Sequence, residues 1–493
     1  MPSSRQEMPL GRLTGPEMSV PHGIESVRVS GITADSRKVV PGVVFAAMPG
    51  TKVDGAAFAA DAAAKGAAAI LAASDAPLPK LSIPVLLADD PRRALALMAS
   101  RLYGRQPGVA LAVIGTSGKT SVADFTRQIL AACGRQAASL GTLGVVKPSG
   151  AVYGSLTTPD PITIAATLAE LADEGVTHLA FEASSHGLDQ RRLDGVKLTA
   201  AAFTNLGRDH MDYHPTVEHY LAAKLRLFDT LLEPGKPVVI NTDGAYSGDV
   251  AAVVRRRGQR LITVGRSGET LRLASLVRDG FMQRLMIEHD GRRNVVLLPL
   301  IGAYQVENAL TAAGLALAAG EQPHSVLAAL ERLAGVPGRL DVVGEARGGL
   351  AVVDYAHKPE ALEAALAACR PFATGRLVCV FGCGGDRDKG KRPIMGAIAA
   401  AQADAMIVTD DNPRSEEPAR IRQEILAGIT GPRAHVAEIG SRADAIRSAV
   451  RSMGAGDVVL VAGKGHETGQ IVGSTVLPFS DHDEIRKALD EVA

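Results

Sequence analysis

Tryptophan is missing from the 493-residue chain, and aromatic residues make up only 3% of it. Its cores therefore have to be built from Ala, Val, Leu and Ile, which suits helices packed on mostly parallel sheets. Net charge is missing too: Lys plus Arg and Asp plus Glu each count 53. A general nucleic-acid binder carries a basic excess, so the balance argues against that class. Small anionic ligands in local pockets stay open. No run of about 18 apolar residues occurs, so no membrane span is expected. The polar segment 1–15 lacks the apolar core of a signal peptide. Cys133, Cys369, Cys379 and Cys383 form neither a CxxC pair nor a cluster with histidine. Such scattered cysteines read as reduced, buried thiols of a cytoplasmic protein.

What is present is an α/β pattern with length for roughly three domains. Residues 1–20 are expected to be disordered, followed by α/β domains over 21–106, 107–337 and 338–493. In the first, strand-like runs at Val43–Ala47, Ala69–Ala72 and Val85–Ala88 surround an alanine-rich run, Ala56–Ala73, that reads as a soluble helix. In the second, the buried-strand signal Ala110–Ile114 leads through a glycine-rich turn into a helix with Val122, Ile129 and Cys133 inward and Gly134 as its stop. Asp160-Pro161 reads as N-cap and N1 of another helix whose buried face is Ile164, Leu168 and Leu171. Residues 250–300 read as antiparallel strands. In the third, strand runs at Ala351–Val353, Leu377–Phe381, Ala405–Thr409 and Val458–Val461 alternate with helical runs, a Rossmann-like, doubly wound pattern.

The strongest local signal is Gly115-Thr116-Ser117-Gly118-Lys119-Thr120-Ser121, between a strand and a helix. The N–H groups of such a turn converge on one spot, and the helix N-terminus adds positive potential. Lys119 can reach the β- and γ-phosphates of a nucleotide, and the Thr120 hydroxyl can bind Mg²⁺. The spacing is shorter than the general P-loop pattern.

Glu182 ends the next strong strand, where open α/β sheets carry their sites, so it is placed to bind a metal ion. His210, His214 and His219 follow closely. Their HxxxH spacing could suggest zinc on a helix, but Pro215 disfavours that conformation at His214. His210 as one neutral ligand to Mg²⁺ fits better. By composition Lys224 is an exposed helical lysine, and an ammonium cannot bind a metal.

These motifs, in this order, resemble those of the Mur ligases, ATP-dependent amide-forming enzymes of peptidoglycan precursor synthesis. The matching stretches are GTSGKTS (115–121), EASSHGL (182–188), TNLGRDHMDYH (204–214), AAKLRLFD (222–229), ENA (307–309), PGRLD (337–341), DYAHKP (354–359), GGDRDKGKRP (384–393), DDNPR (410–414) and AGKGHE (462–467). The run Asp411-Asn412-Pro413-Arg414 is similar to that of members adding meso-2,6-diaminopimelate. It argues against the lysine-adding and D-Ala-D-Ala-adding members and against folylpolyglutamate synthetase. A nucleotide-gated ATPase without ligase activity is the alternative of another class.

The resemblance implies an N-terminal domain for the UDP-linked substrate, a central P-loop-type ATPase and a C-terminal amino-acid-binding domain. It implies ATP-dependent addition of meso-diaminopimelate to the D-Glu side chain of UDP-MurNAc-L-Ala-D-Glu through an acyl phosphate. Gly115, Thr116, Ser117, Gly118, Lys119, Thr120 and Ser121 would hold the ATP phosphates, and Asn308, Arg339, Asp354 and His357 would contact the same nucleotide. Thr120, Glu182, His210 and a carbamylated Lys224 would hold Mg²⁺, the CO₂-derived carbamate turning a cation into a carboxylate-like ligand. Lys119, Glu182, His210 and Lys224 would then be the catalytic set. Ser36, Thr51, Lys52, Val53, Thr157, Thr158, Ser184, Gln190 and Arg192 would bind the UDP-linked substrate. Arg387, Asp411, Asn412, Pro413, Arg414, Gly463 and Glu467 would bind diaminopimelate. The partners implied are these small molecules alone, for a monomer in the cytoplasm. Ser117 and Gln305 depart from the family pattern, which commonly has Asn at both places.

Overall fold

The computed structural model describes residues 7–50, 53–152, 157–207, 213–431 and 434–492. By its internal contacts the chain divides into two compact units, 1–263 with 314–321, and 264–313 with 322–493.

Among the described residues, the first unit holds a two-stranded pairing and two larger sheets. A four-stranded parallel sheet runs in sequence order through β1 (Gly31–Thr33), β2 (Val43–Ala47), β3 (Ala69–Ala73) and β4 (Val85–Ala88). Residues 7–20, expected to be disordered, are ordered; residues 1–6 lie outside the described residues. Met8–Pro9 pairs with Arg28–Val29, Ser19 bridges Leu87, and Leu10 and Leu13 are fully buried. Leu10, Leu13 and Met18 supply apolar surface to the core of this sheet, which a reading of the segment as polar overlooks. The alanine-rich run is helical through a 3-10 turn (Gly55–Phe58) and α1 (Ala59–Ala64) and no further. Gly66, at φ +87°, breaks it, and Ala69–Ala73 joins the sheet, where small residues pack between strands. Helix α2 (Pro91–Tyr103), capped by Asp90, packs against this sheet's core.

The larger sheet of this unit is built around β5 (Val109–Ile114). Helix α3 (Lys119–Ala132) follows, with Gly134 just past its end at φ +83°. Next come β6 (Ala137–Gly141), the hairpin β7 (Gly144–Lys147) and β8 (Gly150–Val152), and α4 (Pro161–Asp173). The Asp160 carboxylate accepts from the N–H groups of Ile162 and Thr163, each at 3.0 Å, so the N-cap reading holds. The unit continues with β9 (His178–Glu182), α5 (Ser185–Asp189), β10 (Ala200–Phe203), α6 (Val217–Arg226), β11 (Pro237–Asn241), α7 (Ser247–Arg256) and β12 (Arg260–Gly265). The order β8-β7-β6-β9-β5-β10-β11 is parallel from β6 to β11. Such crossovers bring the ends of β5, β9 and β10 together at one edge of the sheet.

The second unit opens with three antiparallel strands, β13 (Leu271–Asp279), β14 (Met282–His289) and β15 (Arg292–Leu298). The antiparallel reading of 250–300 therefore holds from 271 onward. Before it, Val250, Val253 and Val254 follow helical spacing and form the buried face of α7. The C-terminal sheet comprises β16 (Asp341–Ala346), β17 (Gly349–Asp354), β18 (Leu377–Phe381), β19 (Ala405–Val408), β20 (His435–Glu438) and β21 (Val458–Ala462). Its order is β16-β17-β21-β18-β19-β20, parallel except for β16. Period-two alternation sends Val352, Cys379 and Leu460 to one core and Val353, Val380 and Val461 to the other. Leu362, Met395 and Ile421 cover the first face, and Ile446 and Ile485 the second, as a doubly wound sheet requires. The four cysteines are unbridged. Among the described residues no helix is long and apolar enough to cross a membrane.

Candidate active site

In the first unit the turn 115–118 lies between β5 and α3, and the segment after β10 braces it. The Thr204 hydroxyl donates to the Ser117 carbonyl at 2.7 Å, and Asn205 Oδ1 accepts from the Ser117 N–H at 3.0 Å. The Thr116 N–H donates to the Asn205 carbonyl at 2.9 Å. A Cβ at residue 115 would sit 1.8 Å from Thr204 Oγ1, so only glycine permits this approach. Ser117 is held through its backbone, so its departure from the family pattern leaves the brace intact. Lys119 Nζ donates to the carbonyls of Gly115 and Thr116 at 2.9 and 2.8 Å, folding back over its own turn. Thr120 and Ser121 are buried in the first turn of α3.

Glu182, at the end of β9, is 3% exposed. Its Oε1 accepts from the Thr142 N–H at 2.7 Å. Lys224 is not the exposed helical lysine that composition suggests: it is 1% exposed. It lies near the end of α6, with Nζ 2.9 Å from the Gly115 carbonyl and 4.1 Å from the centre of the Tyr220 ring. Packing of α6 against the phosphate turn overrides the usual preference of lysine for water. The hard oxygen donors Glu182 and Thr120 suit Mg²⁺. His210, like Thr51 and Lys52, lies outside the described residues. No cluster of three or more His, Cys, Asp or Glu suited to a metal occurs among the described residues.

Around this centre, Thr158 Oγ1 bridges the Glu182 carbonyl and the Ser184 N–H, each at 3.1 Å, and Ser184 caps α5. Thr157 Oγ1 lies 3.0 Å from Thr142 Oγ1. Arg192 is held by Gln190 Oε1 at 2.7 Å and the Thr158 carbonyl at 2.5 Å. Thr157, Thr158, Ser184, Gln190 and Arg192 thus form one connected patch at the end of β9. Ser36 opens a short 3-10 helix after β1, and Val53 lies on the loop after β2 of the N-terminal sheet. His214 is buried, with Nε2 2.9 Å from Ser185 Oγ and Nδ1 3.0 Å from His219 Nδ1. Burial, with His186 and His219 nearby, lowers its pKa to about 4. It precedes α6 rather than lying on it, while His219 lies on that helix.

In the second unit, loops after β17, β18, β19 and β21 line one cleft of about 740 Å³. Arg387, Asp411, Asn412, Arg414, Gly463 and Glu467 all line it, joined by Tyr355, His357 and Lys391. Pro413 is buried in the same loop but does not line the cleft. Arg414 has φ +52°, a conformation that costs a non-glycine residue about 1–3 kcal/mol. It is held by its N–H to the Ile471 carbonyl at 3.0 Å and by Nη1 to the Gly385 carbonyl at 2.9 Å. Gly463, at φ +119°, lets the backbone pass Asp411, where a Cβ would sit 2.6 Å from Oδ2. Burial pushes the Asp411 carboxyl up. Burial also opposes ionisation of Glu467, but Lys464 and the Asn412 amide outweigh it and hold that carboxyl below its ordinary value.

Asn308, Arg339, Asp354 and His357 also belong to the second unit. Gln305 bridges the first two, donating to the Arg339 carbonyl at 2.6 Å and accepting from Asn308 Nδ2 at 2.9 Å. The departure at 305 therefore keeps a structural task. Burial, opposed by Arg339, raises Asp354 to about 6, and its Oδ2 accepts from the Leu340 N–H at 2.8 Å. Burial lowers the pKa of His357. The matching stretches contain Thr204, Asn205 and Lys464, but motif reading gave no role to these residues or to the Tyr220 ring beside Lys224. Lys464 carried one signal: a lysine between glycines directly after a buried strand.

Family models match three stretches: "Mur ligase family, catalytic domain" at 28–103, "Mur ligase middle domain" at 113–316 and "Mur ligase, glutamate ligase domain" at 338–465. The chain is 56% identical over 470 residues to the UDP-N-acetylmuramoyl-L-alanyl-D-glutamate–2,6-diaminopimelate ligase of Agrobacterium fabrum, covering 95% of each chain. It is 58% identical over 468 residues to the protein of that name from Mesorhizobium japonicum, covering 95% of this chain and 96% of the other. A solved structure of a ligase of that name superposes with TM-score 0.75 at 31% identity, over 99% of both chains. The MurF ligase of Thermotoga maritima in complex with ADP shares the fold, with TM-score 0.60 at 20% identity over 93% of this chain and 97% of the other.

Proposed function

The chain belongs to the Mur ligase family, and from that premise we propose that it joins meso-2,6-diaminopimelate to the D-Glu side-chain carboxylate of UDP-MurNAc-L-Ala-D-Glu at the expense of ATP. The observation that carries this reading is the second unit's cleft, which gathers Arg387, Asn412 with Arg414, and Glu467 from three strand ends. Arg414 offers a planar fork to a carboxylate, and Glu467 offers an anion to an ammonium. Lysine lacks the second carboxylate and would leave Arg414 without its partner, at a cost of several kcal/mol.

An amide does not form from carboxylate and amine in water without activation. The D-Glu carboxylate attacks the γ-phosphorus of ATP, giving an acyl phosphate and ADP. The amine then attacks the acyl carbon, the C–O bond to phosphate breaks, and phosphate and a proton leave. No side-chain nucleophile is required. The first step brings two anions together, and Lys119 and Arg192 are the cations of this chain suited to offset their repulsion. Mg²⁺, when bound, supplies further charge neutralisation; Glu182 and Thr120, with His210, are the residues to hold it. A carbamate on Lys224 would add an anionic oxygen donor, and burial disfavours the bare ammonium that it replaces. We assign 21–106 to the UDP-linked substrate, 107–337 to ATP and 338–493 to the amino acid, in a monomer working in the cytoplasm where its nucleotide substrates are made.

The test is product identity. With ATP, Mg²⁺, UDP-MurNAc-L-Ala-D-Glu and meso-diaminopimelate, mass spectrometry should show the UDP precursor gaining one diaminopimelate less one water. Nucleotide hydrolysis with no such product would overturn the reading.

A further inference from the structure

Lys464 is fully buried, on the glycine-flanked turn after β21. It does not line the cleft, yet it touches two residues that do. Its Nζ donates to Asn412 Oδ1 and to Glu467 Oε2, each at 3.0 Å. Asn412 Oδ1 also accepts from the Ile471 backbone N–H at 2.9 Å. With Oδ1 taken by two donors the amide has one orientation, and its Nδ2 donates to the same Glu467 Oε2 at 2.9 Å. Lys464, Asn412 and Glu467 therefore close a triangle in which each contact fixes the other two.

The charges around the triangle point the same way. Asp411 lies in the field of Lys464, Arg442, Glu467 and Asp481. Asp481 is paired with Arg442 at 2.7 Å. Arg387, Arg414, Lys358 and Lys391 line the cleft around this group, and Lys464 is the cation in direct contact with Glu467. Without Lys464, Glu467 loses the cation that aims it.

We propose that Lys464 is a positioning residue for amino-acid recognition: by holding Glu467 and Asn412 in one pose, it sets the affinity of the cleft for the ammonium-bearing head group of its substrate. This rests on the ligase reading above. Lys464 touches no substrate and acts only through its two neighbours.

The experiment is steady-state kinetics on the full chain, with KM for meso-diaminopimelate, KM for ATP and kcat measured separately. Lys464→Met should raise the KM for meso-diaminopimelate about tenfold, with KM for ATP and kcat within about twofold. Lys464→Arg, which keeps charge and donors, should bring that KM back to within about threefold of wild type. A purely structural lysine would lower kcat and folded fraction without splitting the two KM values, which would overturn the proposal.

A second comparison holds even if Lys464→Met alone folds poorly. In a Glu467→Gln background the lysine has lost its anion, so Lys464→Met should add less than about threefold to the KM for meso-diaminopimelate. A further tenfold there would mean that Lys464 acts independently of Glu467, and the proposal fails. Wild-type protein that ignores meso-diaminopimelate overturns the ligase reading and the proposal together. Wild-type protein that uses it, beside an unchanged KM in Lys464→Met, overturns the proposal alone.

Discussion

The two candidate sites, one in each unit, are built on opposite plans. The phosphate turn of the first unit works with its backbone: converging N–H groups, a glycine where no Cβ fits, and a brace from Thr204 and Asn205. The cleft of the second unit works with side chains: Arg387, Arg414, Asn412 and Glu467, drawn from loops far apart in sequence. Phosphates are common to every nucleotide, so a backbone cradle suffices for them. Choosing one amino acid among similar ones takes charges matched to its particular groups.

If that division is real, a change in one site should leave the other's readout alone. The largest effect is expected at Lys224. Lys224→Ala should lower turnover by about 10³-fold or more while ATP still binds, with formate or acetate restoring part of the rate. An active Lys224→Ala protein would remove the carbamate from the account. Next comes Arg414→Ala, which should raise the KM for meso-diaminopimelate about ten- to a hundredfold and blur discrimination against lysine. Its KM for ATP should not move, and equal changes in both would break the comparison. Gly115→Ala is the reciprocal test. The added methyl meets Thr204, so calorimetry should show ATP affinity falling about tenfold, with the KM for meso-diaminopimelate unchanged.

The smallest effect is on stability against pH. His214, in the first unit, has its pKa lowered by burial from an ordinary 6.5 to about 4. The unfolded chain therefore binds its proton first, and the stability present above pH 6.5 is lost as pH falls toward about 4. Glu416, in the second unit, is held down to about 2 by the Arg392 guanidinium and the Asp386 N–H. Its contribution is present above an ordinary value of 4.5 and is lost as pH falls toward about 2. Acid titration followed by hydrogen exchange should show protection lost first around His214 and only at lower pH around Glu416. Simultaneous loss would contradict this ordering.

The same contrast explains what could be read from the chain alone. The phosphate turn is contiguous, and its strand-turn-helix setting is written in Ala110–Ile114 and the periodic residues of α3. The strand runs Leu377–Phe381 and Val85–Ala88 appear unchanged in the structure because short, continuous apolar runs bounded by turn residues suit a buried strand. The cleft residues, by contrast, are polar residues in loops, and only tertiary folding brings Arg387, Asn412 and Glu467 together. Resemblance to a family could point to them; spacing could not. Lys224 shows the limit most sharply: nothing local in α6 distinguishes a buried lysine from a solvated one. The order of residues 7–20 escaped for a similar reason, since Leu10 and Leu13 are buried by a sheet that begins only at Gly31.

The central claim is that ATP activation and amino-acid choice reside in separate sites that one reaction joins. Phosphate release from ATP, with Mg²⁺ and UDP-MurNAc-L-Ala-D-Glu, tests it most directly when meso-diaminopimelate, L-lysine and no amine are compared. Sustained release with meso-diaminopimelate alone is the result expected. Equal release in all three would mean an ATPase whose second cleft selects nothing, and would contradict the account.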